Sequence, residues 1–326
     1  MVKKKVYLLI TIDTECDKDP NWEIPKPISF RNIALQKSLL EPIFKKYNIK
    51  ATYLLSPEVL MDDSSVQILK TIENVEFGTH LHEEFIGPNA NFEANRTKNI
   101  QANLSYEVEK EKLENLTQLF NTKFGYLPKS FRSGRFGSST YTTNILLDLG
   151  YKVDSSVTPF KTLYFDNGKK INHWGIKLEP YYVIKINNKD KLLQIPLTLI
   201  NRDFEKLPSF VLSHLESKTT VFKKVLKKFG FTSKTEWLRP YRASSLEMIN
   251  ISDYVIKNHF REKQYAILNI MFHSNEILVN GSPYCKNSEE VRDFLDSLND
   301  LFLHLNNNYT LCSTGLEGLY DSYAQL

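Results

Sequence analysis

Cysteine and histidine are both scarce in this chain of 326 residues, with three and seven copies respectively. The cysteines, Cys16, Cys285 and Cys312, lie too far apart for a disulfide framework or a zinc ribbon, and they fit a reducing compartment. Because histidines are so few, the positions of these side chains are informative about function.

Long apolar runs and a dominant charge are also absent. No stretch approaches the roughly 18 apolar residues that a membrane-spanning helix needs. The net charge of +4 and the lack of a recognition motif argue against nucleic acid as a partner. A hydrophobic content of 41% excludes a disordered chain, and the length is enough for one large domain or two of ordinary size.

The N-terminal segment begins like a secretion signal, because Lys3–Lys5 precede an apolar run. Acidic residues follow that run at once, and a small-residue cleavage site is missing. We therefore interpret Val6–Ile12 as a buried first strand and expect a cytoplasmic protein.

Short β-rich runs alternate with helical patterns along the chain, which predicts an α/β fold with a largely parallel sheet. Acidic residues, and no Gly-rich phosphate loop, follow the first strand, so a (β/α) barrel is favoured over a doubly wound sheet. Reactive residues are spread from position 13 to 273, which favours a single domain over 1–326. The predicted strands are Val6–Ile12, Ala51–Leu55, Val75–Thr79, Ser130–Arg132, Tyr151–Asp154 and Ala266–Phe272.

Two segments depart from this alternation. Around 164–200, short runs and turns predict a β insertion, with a hairpin formed by Tyr181–Ile186 and Leu192–Pro196. Around 211–234, lysines beside an apolar stripe predict a basic amphipathic helix. That helix has two interpretations: a solvated face over the core, or peripheral attraction to an anionic membrane or to a sugar linked to a diphosphate.

Polar, reactive side chains follow several predicted strands at the point where each strand ends. A barrel brings the carboxyl ends of its strands around one mouth, so we expect these side chains to converge. They are Asp13, Glu15, His80, His82, Arg132, Asp154 and His273.

A carboxylate with two imidazoles is a common ligand set for a divalent metal ion. His80 and His82 are two residues apart, so in an extended segment they face the same side. Asp13 and Glu15 can share a face in the same way, one binding the metal and the other deprotonating water, although a helix cap or a surface acidic cluster would have the same pattern. Arg132 could orient one of these carboxylates through its forked guanidinium.

The ordered series Asp-x-Glu, Gly-Thr-His-x-His, Phe-Arg-x-Gly, Leu-Gly-Tyr-x-x-Asp-Ser-Ser and Phe-His-Ser resembles the five motifs of the polysaccharide deacetylases of the NodB-homology type, also grouped as carbohydrate esterase 4-like. The segments 238–242, 272–276 and 282–284 resemble more specifically the WalW-type subgroup, which is associated with cell-surface glycan loci. The resemblance implies a distorted (β/α) barrel of about seven strands. It also implies a metal-dependent hydrolase that removes an acyl group, usually acetyl, from an amino sugar.

Position by position, the resemblance also implies roles. Asp13 matches the general base, Arg132 the arginine that orients it, and His273 the general acid. Asp154 matches the carboxylate that tunes the acid, and His80 matches the first metal histidine. One divalent ion is implied; we expect Zn²⁺, with Co²⁺, Ni²⁺ and Fe²⁺ as alternatives.

Two departures from the family pattern concern the remaining ligands. The family's second histidine comes four residues after the first, where this chain has Glu84. The usual Asp-Asp pair is Asp-Thr here, so the carboxylate ligand must come from Glu15 or Asp17. We predict His82 and Glu15 as ligands, with Glu84 and Asp17 as alternatives.

Aromatic rings stack on pyranose rings, so we expect aromatic residues near these motifs to bind a sugar substrate. Trp174, in a turn-rich stretch, is the preferred platform, and a backbone N–H near Gly134 is the candidate donor to the oxyanion of the reaction. The full set of predicted substrate-binding residues is Arg135, Phe136, Trp174 and Tyr284, with Tyr141, Tyr164 and Tyr181 as further aromatic candidates.

Three functions follow in order of preference. The first is N-deacylation of an amino sugar, in a glycan or in a biosynthetic intermediate that a cytoplasmic enzyme can reach. The second is a metal-dependent amidase or deformylase acting on a small amide, and the third is a catalytically silent carbohydrate-binding relative. A phosphoryl hydrolase is disfavoured because no phosphate loop is present. The sequence leaves the oligomeric state open.

Overall fold

The apolar runs of the chain form a curled half-barrel sheet in the computed structural model, which describes residues 3–92, 100–165, 168–185, 190–215, 228, 230, 234–241 and 243–326. Every neighbouring pair in this sheet is parallel except the last pair at one edge. The strands are β1 (Lys5–Thr14), β2 (Ala51–Leu55), β3 (Val75–Leu81), β4 (Ser130–Ser133), β5 (Val153–Asp154), β6 (Thr162–Tyr164), β7 (Lys170–Asn172), β8 (Tyr181–Ile184), β9 (Lys191–Gln194), β10 (Leu199–Ile200), β11 (Glu236–Trp237), β12 (Tyr265–His273) and β13 (Thr310–Ser313).

Helices occupy most of the connections between these strands, as the alternating pattern predicted. The longest helix before β4 begins at the N-cap Ser105, whose side chain accepts a hydrogen bond from the amide of Val108, and ends at Gly125 with φ +81°. The α-helices are α1 (Arg31–Leu35), α2 (Glu41–Lys46), α3 (Pro57–Met61), α4 (Asp63–Leu69), α5 (Tyr106–Phe124), α6 (Thr142–Asp148), α7 (Ser209–Ser213), α8 (Ser245–Asn258), α9 (Ser288–Asn308) and α10 (Leu316–Tyr323).

The strand order of the main sheet is β12-β1-β2-β3-β4-β5-β9-β8, with β13 also paired to β1. This arrangement confirms the predicted α/β fold with a largely parallel sheet. The sheet has nine strands, more than the seven expected. One extra strand fits because β2 pairs only with the second half of β1, from Ile10 onward, and β13 pairs with Lys5–Leu8 in the first half.

The predicted β insertion around 164–200 is divided among three sheets, the smallest of which pairs β10 with β11. β6 and β7 form a separate antiparallel pair, whereas β8 and β9 form the predicted hairpin. Because β9 also pairs in parallel with β5, this hairpin is the edge of the main sheet and not an appendage. Of the predicted basic helix around 211–234, residues 211–213 belong to α7, whereas residues 216–227, 229 and 231–233 lie outside the described part of the chain.

Apolar packing holds the sheet in place. Nine of the ten residues of β1 are buried, and α5 packs Leu113, Leu116 and Phe120 into the same core as β1. A strand buried on both faces has no polar alternation, which is why the first half of β1, residues 6–10, is a continuous apolar run in the sequence. Among the described residues, no helix has the length and apolarity required to span a membrane.

Candidate metal centre and active site

The carboxyl ends of the parallel strands meet at one edge of the sheet. The pairing register places Asp13 opposite His273, and His80 opposite Arg132. These strand ends form the floor of a cleft of about 700 Å³. The convergence predicted from the sequence therefore has a geometric basis in the parallel register.

Three predicted metal ligands, Glu15, His80 and His82, lie within 4.8 Å of one another through their donor atoms. Glu15 Oε1 is 3.2 Å from His80 Nε2 and 2.9 Å from His82 Nε2. All three side chains are buried. One oxygen and two imidazole nitrogens in this arrangement form a donor set for a divalent cation of the zinc type.

The other ring nitrogen of each histidine has its own partner. His80 Nδ1 donates to the carbonyl oxygen of Arg132 at 3.0 Å, and His82 Nδ1 lies 3.4 Å from Glu84 Oε1. With hydrogen bonds at Nδ1, the lone pair of each Nε2 is available to a metal ion, the arrangement found in most protein metal sites. Burial lowers the pKa of His80 to about 4, so this imidazole is neutral at pH 7 and able to bind a metal. The residues present therefore fit a metal ion.

Asp13 is held by a buried arginine. Arg132 Nη1 donates to Asp13 Oδ1 at 2.5 Å, and its Nε and Nη2 donate to the Ser155 carbonyl oxygen and to Thr11 Oγ1, both at 2.8 Å. Burial opposes ionisation of Asp13, but the charge of Arg132 and the nearby histidines outweigh it and lower the pKa to about 2. Asp13 is therefore a carboxylate at neutral pH, with its position fixed.

The contacts of His273 differ from those expected. Its Nδ1 lies 3.0 Å from Glu276 Oε1 and 3.0 Å from Arg239 NH2, and Arg239 and Glu276 form a buried ion pair. Asp154, expected to tune this imidazole, instead accepts hydrogen bonds from Ser156 and from the side chain of Gln194. The pairing of Asp154 with His273 is not formed, because its carboxylate is already hydrogen-bonded beside its own strand.

The two alternative ligands have other contacts. Asp17 caps α1, where its carboxylate accepts from the backbone amides of Arg31 and Asn32 at 3.1 and 3.0 Å. Glu84 lies behind His82 and is paired with Arg135 at 2.6 Å. The structure therefore places Glu84 next to a candidate ligand, whereas Asp17 supports the loop that follows β1.

A buried lysine fixes the turn that carries Glu84. Lys112 of α5 donates from Nζ to the carbonyl oxygens of Glu83 at 2.8 Å and of Ile86 at 2.6 Å. Its side chain is 1% exposed, so these contacts are shielded from water. Helix α5 therefore determines where the segment after β3 lies.

The turn after β4 is closely packed against the segment after β3. A Cβ at Gly134 would lie 2.4 Å from the carbonyl oxygen of Leu81, so only glycine fits. The next two residues, Arg135 and Phe136, have φ values of +53° and +55°, a left-handed conformation that side chains rarely adopt. Both line the cleft, as the substrate-binding prediction for them requires.

The preferred aromatic platform, Trp174, does not line the cleft. Its ring is 4% exposed and packs edge-on against Phe160 and Phe204 in a separate apolar cluster. Burial among these side chains keeps the ring out of the cleft, so the structure does not bring this predicted platform together with the other site residues. The described cleft-lining residues also do not include the tyrosine candidates Tyr141, Tyr164, Tyr181 and Tyr284, although Tyr284 lies next to a cleft tryptophan.

That tryptophan, Trp22, is a site residue that the sequence did not single out. Its ring centroid lies 5.0 Å from the imidazole of His273 and 6.1 Å from the ring of Tyr284. Lys18, on the same loop, pairs with the second oxygen of Glu15 and lies 5.3 Å from the Trp22 ring. The only available signal was position, since Trp22 closely follows the Asp-x-Glu motif.

No protein-family model and no curated protein matches this sequence. Solved structures do resemble it. A protein of Pseudomonas aeruginosa PAO1 assigned as a polysaccharide deacetylase is 10% identical with a TM-score of 0.56, covering 98% of this chain and 91% of that one. A protein of Parabacteroides distasonis assigned as a glycoside hydrolase/deacetylase is 10% identical with a TM-score of 0.59, covering 99% and 72%.

The Puue allantoinase is also 10% identical, with a TM-score of 0.56 and coverage of 98% of this chain and 90% of that one. At such identities the similarity concerns the fold. The distorted barrel of the NodB-type deacetylases, expected from the motifs, is thereby confirmed as the fold class.

Proposed function

We propose that this protein is a metal-dependent hydrolase that removes an N-acyl group, with acetyl expected, from an amino sugar of a cell-surface glycan or its biosynthetic intermediate. One observation carries the proposal: a buried carboxylate–arginine pair, a Glu-His-His donor set and a histidine beside a tryptophan share one cleft. Amide hydrolysis needs a base, a site for an electrophilic ion and an acid, and each is available here.

The chain's own residues would divide the reaction between them. Asp13, held ionised by Arg132, takes a proton from the attacking water as its oxygen bonds to the acyl carbon. His273 gives a proton to the amine nitrogen as the carbon–nitrogen bond breaks, so that a carboxylate and an amine leave. Glu15, His80 and His82 would hold the cation, which when bound supplies Lewis-acid polarisation and lowers the pKa of water.

We propose Zn²⁺ as the ion, since one carboxylate and two imidazoles are typical zinc ligands, with Co²⁺, Ni²⁺ or Fe²⁺ as alternatives. The assignment to the WalW-type subgroup, a cytoplasmic location and a single catalytic domain over 1–326 belong to the same proposal. They rest on sequence patterns.

The test is release of acetate or formate from a panel of N-acyl amino-sugar nucleotides and glycans, using protein reconstituted with each metal. Replacing Asp13 with Asn should abolish turnover and leave metal content nearly unchanged, because the base is lost and the three ligands remain. Asp63→Asn, at an exposed ion pair with Lys123, is the matched control and should retain full activity. Turnover by Asp13→Asn at the wild-type rate would refute the assignment of the base.

Hydrolysis of a small amide is the second candidate, favoured by the similarity of the fold to an allantoinase. Allantoin and formamides therefore belong in the same panel, and turnover of these compounds alone would replace the first proposal. Metal analysis of protein purified without chelator distinguishes both hydrolase functions from a catalytically silent carbohydrate-binding relative, which should contain no bound ion.

A further inference from the structure

We propose that Glu276, held in place by Arg239, is the carboxylate that sets the tautomer and the proton affinity of His273, the function first expected of Asp154. This inference rests on the proposed function, because it assigns a positioning residue to the proposed acid. It concerns two side chains that lie outside the five sequence motifs used to predict the catalytic residues.

The contact geometry selects Glu276. Its Oε1 lies 3.0 Å from His273 Nδ1, and its side chain is completely buried. The turn Ser274–Ile277 that directly follows β12 carries Glu276, so the carboxylate is tied to the strand that carries the histidine. The hydroxyl of Tyr241 also donates to the Glu276 backbone carbonyl at 3.1 Å, which fixes the turn from the other side.

A hydrogen-bond acceptor and a hydrogen-bond donor both lie next to Nδ1 of His273. The Glu276 carboxylate can only accept a hydrogen bond, whereas the Arg239 guanidinium, also 3.0 Å from Nδ1, can only donate. While Glu276 is ionised, Nδ1 carries the proton and Nε2 is the nitrogen left for the cleft. Without Glu276, Arg239 would donate to Nδ1 and move the proton of the neutral ring to Nε2.

The charges around His273 come from several segments. Glu276 and Arg239 face Nδ1, Asp13 lies opposite on β1, and Lys18 reaches toward it from the loop after β1. Burial and Arg239 favour the neutral imidazole, and Glu276 favours the imidazolium. Glu276 therefore raises the affinity of this buried ring for a proton, against the effects of burial and of Arg239.

The role fits the proton balance of the reaction. His273 must hold a proton on Nε2 when the amine departs, and it ends the step neutral with its proton on Nδ1. The hydrogen bond from Nδ1 to Glu276 is compatible with both states, so the ring does not need to turn between them. Asp154 does not contact His273; its oxygens accept hydrogen bonds from Ser156 and Gln194 instead.

The first measurement does not need turnover. Long-range ¹⁵N–¹H correlation spectra of the histidine rings should show His273 as the Nδ1–H tautomer at neutral pH in the wild-type protein. In Glu276→Ala the proton should be on Nε2, and in Glu276→Gln the pKa of His273 should fall, because the negative charge is gone. A His273 signal that is identical in all three proteins would overturn the proposal.

The second measurement is kinetic. We expect Glu276→Gln to lower kcat by about 10- to 100-fold with little change in KM, because the substrate does not touch this residue. The alkaline limb of the pH profile should move to lower pH, because His273 with a lower pKa loses its proton at a lower pH. Unchanged kcat and an unchanged limb would overturn the role.

A double variant separates this role from a structural one. Glu276→Gln leaves the Arg239 charge without its partner, so the double variant Glu276→Gln/Arg239→Met removes both charges and keeps the protein testable if the single variant is unstable. The double variant should be folded by circular dichroism and still show the low kcat. Wild-type kcat in a folded double variant would overturn the proposal.

Asp253→Asn is the matched control. Asp253 accepts a hydrogen bond from His304 Nε2 at 2.9 Å, so it is a carboxylate–histidine pair outside the cleft. Its loss should change the His304 signal and leave His273 and kcat unchanged. If deacylation itself is absent, the ring spectra still decide the role of Glu276, so the failure of each proposal is distinguishable.

Discussion

At the scale of single residues, two cleft histidines have the same support. Glu84 contacts His82, and Glu276 contacts His273. Each glutamate also forms an ion pair with an arginine, Arg135 for Glu84 and Arg239 for Glu276. In both cases the carboxylate contacts Nδ1, which leaves Nε2 for the cleft. A fixed nitrogen is required both for binding a metal and for transferring a proton to a defined atom.

The residue that should position the sugar is Trp22. An amine that receives its proton from His273 must lie beside that imidazole, and the ring next to it is Trp22 at 5.0 Å. Replacing Trp22 with Ala should raise KM for glycan substrates roughly 5- to 30-fold, equivalent to about 1–2 kcal/mol of lost apolar contact. Steady-state kinetics on an N-acetylated oligosaccharide and on a small acetamide provide the measurement.

The matched control for this prediction is Trp174→Phe, which keeps an aromatic ring in the separate apolar cluster. This variant should leave KM for the glycan unchanged. A rise in KM in the control, or equal effects of Trp22→Ala on the oligosaccharide and the small acetamide, would contradict the assignment of Trp22 as the platform.

At the scale of elements, the sequence was informative wherever a side chain directly follows a buried strand. Asp13, His80, Arg132 and His273 were predictable because apolar runs reveal strands and parallel strands align their ends. The structure places all four where that argument expected them.

Residues in irregular segments were not predictable in this way. Trp22 lies in a loop at φ +63°, a conformation with no periodic signal. Trp174 was misplaced because sequence does not show which apolar partners a turn will fold against. Glu276 and Asp154 both follow strands near the site, and only side-chain contacts distinguish which of them reaches His273.

The contact between the ends of β3 and β4 should be sensitive to one methyl group. Gly134→Ala places a Cβ 2.4 Å from the Leu81 carbonyl oxygen and must displace the turn that carries Arg135. We expect the free energy of unfolding to fall by about 1–3 kcal/mol, and activity to fall about 10- to 100-fold as the site geometry shifts. Urea denaturation and acetate release measure the two effects.

Gly87→Ala is the control for this substitution, because no heavy atom beyond the two adjacent residues lies within 4 Å of the position of its added Cβ. It should change stability by less than about 0.5 kcal/mol. Equal losses in both alanine variants would show that the close approach at Gly134 is not the cause.

At the scale of the whole molecule, buried histidines should make the fold sensitive to mild acid. Burial lowers the pKa of His80, His173 and His273 to about 4 each, whereas in the unfolded chain each titrates near 6.5. Between these values the unfolded state binds protons that the native state does not, so stability is full above pH 6.5 and is lost as pH falls toward 4.

Urea denaturation between pH 7.5 and 5 should therefore show a decreasing free energy of unfolding. Each of these histidines contributes up to about 1.4 kcal/mol per pH unit over that window. His173→Asn, which keeps an acceptor for Thr158 without a titrating ring, should reduce the slope. A flat profile in the wild-type protein would contradict this prediction.

The pairing of β1 with β12 along its full length has a consequence for how the protein is made. Asp13 and His273 are neighbours in the sheet, yet the ribosome adds them 260 residues apart, on the order of tens of seconds at ordinary rates of synthesis. Until then β1 can pair with β2 but lacks β12, the strand that pairs with it along nearly its whole length. The proposed base and acid can come together only after residue 273 has been added, so chaperone supply should influence how much working protein a cell obtains.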